Sequence, residues 1–480
     1  MTVQDIKSLL PMVILAGGIL FIMILIAVKR NHRLACISTL LIISAAIIAA
    51  LLQIGEKPNA IGEIVVVDRF GIYYQVLLLS ATFVISIFSY ISLERFFPNK
   101  RKEEYYLLIM LATLGACMMA ISTHFISFFV SLELLTISLY TLIAYYRERA
   151  KSIEAGLKYL VLAAMSSSFL LFGMALVYAI SGTLSFTGLS AITPPLNSSG
   201  ALMLIAGIGL MIVGIGFKLA LVPFHMWAPD VYEGASSPVS AFIASVSKGS
   251  VVAVLLRLFM MADLYRYEKV MLAFIIIAIL SMLIGNLLAL MQNNVKRILA
   301  YSSIAHLGYL LVAFIAGKGM GMEAATFYIT IYMVTVIGAF GIITVISPAD
   351  QEAGEIENYK GLFWRKPFLA ALFTIFLLSL AGIPLTAGFM GKYFLLTAGL
   401  GKTEWPLAFV LVVSSVIGLF YYLLIIVTMM KPDENSASST SLFLGSSLGG
   451  ILVLTFLGLL VVSLGIYPGW LIEMVRSLNP

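Results

Sequence analysis

The sequence predicts an all-α protein that crosses the membrane many times, with about fourteen transmembrane helices. Of its 480 residues, 61% are hydrophobic and only 11% are charged, and the mean hydropathy is +1.07. A chain of this composition does not fold as a water-soluble globule. Its apolar runs are about 20 residues long, which is the length that a helix needs to cross a bilayer.

Apolar runs place the spans at 9–28, 34–54, 71–93, 105–122, 125–146, 157–180, 201–222, 238–261, 270–291, 298–316, 324–347, 368–400, 407–430 and 447–467. The run at 368–400 is too long for one regular span and is interrupted by Gly382, Pro384 and Gly388. We therefore predict a broken helix there. Irregular backbone at membrane depth is tolerated only where protein or a cavity surrounds it, so this break should lie inside the bundle.

Lysine and arginine are distributed unequally between alternate loops. One set of loops holds 17 of the 29 basic residues, the other set holds 9, and 3 lysines lie within spans. Basic residues accumulate in cytoplasmic loops. The bias predicts that both termini lie outside, in the periplasm, for a protein of the bacterial inner membrane. It also explains the formal net charge of +6 without a nucleic-acid partner. The cluster KRNHR follows the first apolar run, which argues against a cleaved signal peptide.

Three lysines lie where a transmembrane helix normally carries no charge. Lys218 lies in GIGFKLALVPFHMW, Lys248 in AFIASVSKGSVVAVLL and Lys392 in AGIPLTAGFMGKYFLL. An ionisable side chain at bilayer depth costs at least roughly 2.5–3.5 kcal/mol, so it persists mainly where it is paired, hydrated or functional. Glu133, in FISFFVSLELLTISLY, is the obvious partner of opposite charge. Four such charges suggest a path for protons.

The spacing of these groups suggests an internal repeat. Lys218 follows Glu133 by 85 residues, and Lys392 follows His306 by 86. We predict N-terminal helices over 1–104, five-helix units over 105–261 and 270–430, and a C-terminal helix with a tail over 431–480. A unit of five helices reverses its direction in the membrane, so the units would be inverted copies, each with a broken helix. Coincidental spacing is the alternative.

Cofactor motifs are absent from the sequence. It contains neither a GxGxxG nor a GxxxxGK[ST] phosphate-binding loop, and Cys36 and Cys117 lie alone in apolar runs. We predict that this chain binds no cofactor and no metal, and that both cysteines are packing residues.

The run FKLALVPFHMWAPDVYEGASSPVSAFIASVSK, at 217–248, resembles the signature of the antiporter-like membrane subunits of proton-pumping NADH:quinone oxidoreductase, respiratory complex I. Its DVYEGA segment is similar to the subunit N branch of that family, whereas subunits L and M and the multisubunit cation/proton antiporters usually have HTWLPDA there. The runs LELLTISLY, NVKRILAYSSIAHLGYLLVA and GIPLTAGFMGKYFLL agree, and the resemblance extends from about 70 to 470. Ser237 and Leu385 depart from the family pattern, at positions without an ionisable group.

The resemblance implies a subunit that couples electron transfer in its partners to proton translocation. Its partners would be the other antiporter-like and small membrane subunits and, indirectly, the peripheral arm. NADH, FMN, iron–sulfur clusters and quinone would be bound by those partners. The relay implied consists of Glu133, Lys218, Lys248 and Lys392. Lysines titrate near neutral pH only where burial lowers the pKa from about 10.4. A closed Glu133–Lys218 pair would therefore hold the proton and an open one would release it.

Several polar residues near the lysines have two interpretations. His225 and His306 suit relay positions, because histidine has an ordinary pKa near 6.5. Each histidine equally suits a structural hydrogen bond, which a buried polar group requires. Asp230 and Glu233 lie in a segment rich in glycine and proline, and we expect a turn there in preference to a role in proton uptake. For the lysines, the structural alternative is a charge bonded to a backbone carbonyl.

Other functions remain open. A subunit of a cation/proton antiporter or of a hydrogenase-linked complex would use the same lysines, although DVYEGA argues against it. A non-pumping scaffold subunit would use the charges only to hold the membrane arm together. Loss of the protein would abolish sodium tolerance if it is an antiporter subunit, and NADH-driven respiration if it is a complex I subunit. Removal of a lysine charge would disturb assembly if the subunit is a scaffold.

Overall fold

The structure is a computed structural model that describes residues 2–98, 100–190, 199–317, 319–348, 352–400, 405–432 and 448–478. Its helices are α1 (Val3–Ser8), α2 (Leu10–Val28), α3 (His32–Leu51), α4 (Arg69–Phe96), α5 (Glu104–Ile121), α6 (Phe125–Ile143), α7 (Ala150–Ser181), α8 (Phe186–Ser190), α9 (Ser199–Leu219), α10 (Trp227–Gly234), α11 (Ser237–Phe242), α12 (Lys248–Ala262), α13 (Glu268–Leu290), α14 (Val295–Ala316), α15 (Met320–Ile346), α16 (Leu362–Arg365), α17 (Pro367–Ala381), α18 (Ala387–Leu400), α19 (Trp405–Met430), α20 (Leu448–Ile466) and α21 (Gly469–Arg476). Two strands, β1 (Asn59–Ile61) and β2 (Val65–Val67), follow α3.

Thirteen helices in the described part of the chain are long and apolar enough to cross a membrane. One of them, Ser237–Ala262, consists of α11, α12 and the π-helical turn Ile243–Ser247 between them. The predicted broken helix adds a further span, because α17 and α18 cover the run at 368–400 and separate at Gly382, whose φ of 83° is left-handed. The chain is a multi-pass membrane protein, and the prediction of about fourteen spans is confirmed.

A short β-hairpin lies outside the spans that the sequence predicts. β1 and β2 pair antiparallel, with Asn59 opposite Val67 and Ile61 opposite Val65. Gly62, with φ 59°, lies directly after β1 where the chain turns back. Strands of three residues are too short to show a periodic pattern, so only the pairing itself identifies them.

Burial separates central helices from peripheral ones. The apolar windows of Ser237–Ala262 and Val295–Ala316 are 100% buried and that of Met320–Ile346 is 94% buried, whereas those of Leu10–Val28 and Leu448–Ile466 are only 33% buried. The centre of the bundle is therefore formed by α11–α12, α14 and α15. Polar side chains on these helices face protein rather than lipid.

Ion pairs mark the two ends of the bundle. One end, the basic face, carries the loops with the larger share of lysine and arginine and holds the pairs Arg30–Glu104, Lys151–Glu233, Lys158–Asp230, Arg297–Asp230 and Lys296–Glu352. The opposite face holds Lys7–Glu56, Arg257–Asp68 and Arg476–Glu323. This division follows the predicted alternation of loops. The assignment of the basic face to the cytoplasm stays a prediction, as does the inverted relation of the units at 105–261 and 270–430.

Candidate functional site

The six predicted site residues lie on helices and turns that meet inside the bundle. They are Glu133 on α6, Lys218 on α9, His225 between α9 and α10, Lys248 on α12, His306 on α14 and Lys392 on α18. All are buried except Glu133, which is half-buried. The three lysines form no ion pair with any described carboxylate, and each donates hydrogen bonds to neutral oxygen atoms only.

Lys218 lies in the last turn of α9, where the free carbonyl end of a helix favours a cation. Its Nζ donates to Oγ1 of Thr136 at 2.7 Å and lies 5.8 Å from the ring centroid of Tyr159. Glu133, one turn before Thr136 on α6, instead accepts a hydrogen bond from Oγ of Ser167 at 2.5 Å. The direct ion pair expected between Glu133 and Lys218 is therefore not formed, because each side chain has its own hydroxyl partner.

Lys248 is the first residue of α12 and directly follows the π-helical turn Ile243–Ser247. Single π turns inside α-helices often mark functional positions, because the added residue redirects the side chains that follow. The Nζ of Lys248 donates to Oγ of Ser303 on α14 at 2.5 Å. Ser303 also accepts from the hydroxyl of Tyr332 on α15 at 2.6 Å, so Lys248 joins a network that spans three helices.

His306 lies within a group of tyrosines between Lys248 and Lys392. Its Nδ1 is 2.6 Å from the hydroxyl of Tyr328, and its Nε2 is 3.2 Å from the hydroxyl of Tyr422. Its ring centroid lies 5.3 Å from that of Tyr332 and 5.5 Å from that of Tyr309, and the Nζ of Lys392 lies 5.1 Å from the Tyr309 centroid. His306 therefore lies where it could connect the two lysines, and both of its nitrogens have hydroxyl partners.

Lys392 lies on α18, which follows the second helix break, the interruption between α17 and α18. Its Nζ donates to the carbonyl oxygen of Ala381, the last residue of α17, at 2.8 Å and to Oγ of Ser415 on α19 at 2.7 Å. A Cβ atom at Gly382 would lie 2.7 Å from Cδ of Lys392, so glycine is required for the close approach as well as for the left-handed backbone. This break is compact and its polar groups are bonded.

The first break, between α9 and α10, differs in that it contains buried polar atoms without partners. Ala220 turns the chain with φ 57°, and the indole of Trp227 donates to the carbonyl of Phe217 at 3.0 Å, which ties α10 to α9. Neither Nδ1 nor Nε2 of His225 has a hydrogen-bond partner among the described residues, although both atoms are buried. Buried polar groups nearly always have partners, so this histidine is an exception that invites a functional explanation.

Asp230 and Glu233 do not form the expected turn, because both lie in α10. Proline is tolerated in the first turn of a helix, so the proline-rich local sequence is misleading. Both carboxylates pair with Arg297 of α14, and Lys158 and Lys151 of α7 bind Asp230 and Glu233 respectively. Partial burial raises the pKa of Asp230, but its hydrogen bonds to Lys158 and Arg297 outweigh burial and hold the pKa below its usual range.

Hydroxyl groups are the site residues that sequence reasoning misses. They are Thr136, Ser167, Ser303, Tyr328, Tyr332, Ser415 and Tyr422. Two follow a detectable pattern, since Thr136 lies three residues from Glu133 and Ser303 three residues from His306, one turn along the same helix. Ser167 and Ser415 come from other helices, and only the tertiary structure brings them to their partners.

Metal ligands are not grouped in the part of the chain that the structure describes. No cluster of three or more histidine, cysteine, aspartate or glutamate side chains there could hold a metal ion. Cys36 and Cys117 are buried free thiols.

Comparisons with known proteins agree on one family. The family described as NADH:quinone oxidoreductase/Mrp antiporter, TM, matches residues 122–418. NADH-quinone oxidoreductase subunit N of Ectopseudomonas mendocina (strain ymp) is 43% identical over 483 residues, covering 99% of this chain and 97% of that protein.

Solved structures have the same fold. A chain of respiratory complex I from Thermus thermophilus, with bound aureothin, superposes with a TM-score of 0.83 at 31% identity, covering 97% of this chain and 99% of that one. A chain of an archaeal membrane-bound sulfane sulfur reductase gives 0.83 at 25% identity, covering 98% and 96%. A chain of the Mrp complex from Dietzia sp. DQ12-45-1b gives 0.84 at 20% identity, covering 100% and 97%, a likeness of fold alone.

Proposed function

The chain belongs to the NADH:quinone oxidoreductase/Mrp antiporter family of membrane subunits, in its subunit N branch, and we propose that it carries protons across the membrane within an NADH:quinone oxidoreductase. Electron transfer from NADH to quinone would take place in partner subunits, which carry the flavin, the iron–sulfur clusters and the quinone site. This chain would supply a proton path whose state responds to those partners, making it a subunit of a translocase.

The row of buried lysines is the observation that carries the proposal. Lys218, Lys248 and Lys392 are each buried, and within the described part of the chain each is bonded only to hydroxyl or carbonyl oxygen atoms. A buried ammonium that stays charged is expected to be held by a carboxylate, because an unpaired buried charge is costly. Lys392 also binds a backbone carbonyl, as the structural alternative expects, so the variants below test each lysine separately. An ammonium bonded to neutral groups is not fixed in its charged state by an ion pair, and it is suited to release and recover a proton.

Hydrogen bonds and ring contacts support one order for the path. From Lys248 it runs through Ser303 and Tyr332 to His306, whose ring centroid is 5.3 Å from that of Tyr332. From His306 it continues to Lys392, beside the second break. Lys218 and His225 would precede Lys248 at the first break. A hydroxyl both accepts and donates a hydrogen, so serine and tyrosine can pass protons without holding a charge.

Glu133 would act as the switch at the start of this path. It binds Ser167 while Lys218 binds Thr136, an arrangement in which the pair is open. Movement of Glu133 to Lys218 would hold the lysine proton, and its return would release it. A conformational or electrostatic signal from a neighbouring subunit would shift this equilibrium, since Glu133 is only half-buried and lies near the surface of the chain.

The basic face would lie in the cytoplasm and both termini in the periplasm of a bacterial inner membrane. The alternation of basic loops supports this orientation. Cysteines introduced singly at Lys57 and Lys431 test it, because a membrane-impermeant thiol reagent added to intact cells should label the first and spare the second. The reverse labelling would contradict the orientation.

The function is tested with inverted membrane vesicles from cells that carry Lys218→Ala, Lys248→Ala or Lys392→Ala in the whole complex. NADH-driven acidification, quinone reductase rate and the amount of assembled complex are measured together. We expect loss of acidification in a fully assembled complex. Lys7→Ala is the matched control, because the Lys7 side chain is 58% exposed and pairs with Glu56 at the opposite face. It should pump normally.

Other outcomes identify the rival functions. Unchanged acidification in all three variants would contradict a proton path through these lysines. Loss of assembly in all three would favour a scaffold role. Loss of sodium tolerance with intact NADH-driven respiration would point to a cation/proton antiporter.

A further inference from the structure

Tyr232 carries a hydroxyl that the path described above does not use. The residue is 0% exposed, and its hydroxyl has no hydrogen-bond partner among the described residues. The other side-chain hydroxyls of the site are bonded, for example Tyr332 to Ser303 and Tyr422 to Ser302. Unpartnered buried hydroxyls are rare, and such a group often marks a catalytic role or a bound water.

The environment of Tyr232 brings its ring close to Lys248. The Nζ of Lys248 lies 5.8 Å from the centroid of the Tyr232 ring. The hydroxyl also lies close to Ser303, in a contact weaker than a regular hydrogen bond. Ser303 accepts from both Lys248 and Tyr332, so its own O–H remains available to donate. The polar groups that face Tyr232 thus come from α12, α14 and α15.

Tyr232 also lies between Lys248 and the basic face. Its neighbour on α10, Glu233, pairs with Lys151 and Arg297 at that face. The backbone carbonyl of Glu233 accepts from Lys296 at 3.1 Å, which holds the end of α10 at the same face. α10 therefore presents charged side chains to the basic face and the buried Tyr232 side chain to the interior of the bundle.

We propose that the Tyr232 hydroxyl, with a water molecule that it binds, is the group through which Lys248 receives protons from the basic face. The inference rests on the proposed function. When the amine of Lys248 is neutral, the Ser303 O–H donates its proton to Nζ and Ser303 takes the proton of the Tyr232 O–H. The Tyr232 oxygen then accepts a proton from the bound water, and that water takes a proton from the aqueous phase at the basic face. One proton moves inward, the phenol is restored, and no charge remains on the ring.

Substitution of Tyr232 by phenylalanine tests this role directly. Tyr232→Phe keeps the ring contacts with Trp227 and Phe340, whose centroids lie 6.5 and 6.0 Å away, and removes only the hydroxyl. In vesicles containing the whole complex, we expect normal assembly and a fall in NADH-driven acidification of about a hundredfold, the lower end of what one proton-transfer group contributes. The pH dependence of the coupled rate should also change.

Tyr146→Phe is the matched control. Tyr146 is also buried, and its hydroxyl bonds to Ser92 at 2.7 Å, with no lysine of the path among its partners. This variant should retain both the acidification rate and its pH profile. A structural role of buried tyrosine hydroxyls in general would instead impair both variants alike, and that result would overturn the proposal.

Three further results decide the question. Wild-type acidification and pH profile in Tyr232→Phe, with no acidification in Lys248→Ala, would overturn the entry role and leave the proposed function standing. Normal acidification in Lys248→Ala would overturn the proposed function itself. If Tyr232→Phe fails to assemble, a fluorinated tyrosine at 232 keeps ring and hydroxyl and changes only the acidity. A shift of the pH profile to lower pH supports the proposal, and an unchanged profile overturns it.

Discussion

The two helix breaks differ in how many hydrogen bonds their buried polar side chains make. At the second break, between α17 and α18, Lys392 has two acceptors, and the backbone is packed against Gly382 and Gly388. At the first break, between α9 and α10, Lys218 has a single hydroxyl acceptor and the ring of His225 has none among the described residues. A break with spare bonding capacity can change its bonds at low cost, so we expect switching at the first break and a fixed site at the second.

The first break is nevertheless fixed at the end that lies toward the basic face, where a buried lysine makes several bonds. Lys296 is buried there and donates to Glu352 at 2.6 Å and to the carbonyls of Glu233 and Ala235. Glu352 in turn accepts from the backbone N–H of Ser237, at the start of α11. Any rearrangement near Lys218 and His225 therefore takes place against a fixed end.

The largest effect is expected at the second break, from Gly388→Ala. A Cβ atom there would overlap the backbone carbonyl oxygen of Ser379, so α17 and α18 would have to separate. Overpacking of this kind costs about 1–3 kcal/mol or more, and we expect little assembled complex on native gels. Gly209→Ala is the control, since no atom lies within 4 Å of its added Cβ. Normal assembly of Gly388→Ala would show that the second break is not rigid.

The next effect is expected at the fixed end of the first break, from Lys296→Met. The variant leaves the Glu352 carboxylate buried without its cation, which typically costs about 3–5 kcal/mol. We expect the quinone reductase activity of membranes to be lost at a lower temperature than in the wild type. Addition of Glu352→Gln should restore part of the difference. Lys7→Met, at an exposed pair worth about 0–1 kcal/mol, should leave the inactivation temperature nearly unchanged.

A smaller effect, on function alone, is expected from the lysine acceptors. Thr136→Val removes the one hydrogen bond that Lys218 makes to a described residue, whereas Ser415→Ala leaves Lys392 bonded to Ala381. With about 1.5 kcal/mol for a hydrogen bond to a charged group, Thr136→Val should slow coupled acidification about tenfold. Ser415→Ala should slow it less. Equal rates in the two variants would remove the proposed difference between the breaks.

The smallest effect is expected from Asp230→Asn, at the rim of the first break. Its ion pairs with Lys158 and Arg297 are partly exposed, so the loss should be about 0.2–1 kcal/mol. The pKa of Asp230 is lower in the folded protein than its unfolded value of about 3.9, so its contribution is complete above that pH and disappears as pH falls through the folded value. Thermal inactivation of wild type and variant should therefore differ equally from pH 5 to 8 and converge on acidification. A difference that grows on acidification would contradict this assignment.

Much of the fold follows from the sequence because the bilayer imposes a simple rule. Each span requires a long apolar run, and the described spans begin and end within a few residues of the predicted positions, apart from α7, which begins earlier at Ala150. The broken helix at 368–400 follows from its length and its glycines. The hairpin β1–β2 does not, because strands of three residues lie outside the apolar runs and depend on pairing with each other.

The candidate site is predictable in part. Lys218, Lys248 and Lys392 stand out because a charge in an apolar run is costly, and the structure buries all three. The direct pairing of Glu133 with Lys218 is not found, because Ser167 and Thr136 bind these side chains instead. The helical position of Asp230 and Glu233 depends on cations from α7 and α14, which no local pattern reveals.

The sequence by itself determines the number of spans, the buried charges and the family to which the chain belongs, since each of these depends on composition and on residues close together in the chain. Only the tertiary structure decides which side chains share hydrogen bonds. Lys248, Ser303 and Tyr332 come from three helices and meet within hydrogen-bond distance, and the same packing leaves the Tyr232 hydroxyl unpaired beside them. Hydrogen bonds act over about 3 Å, so their partners are fixed by helix packing and not by separation along the chain.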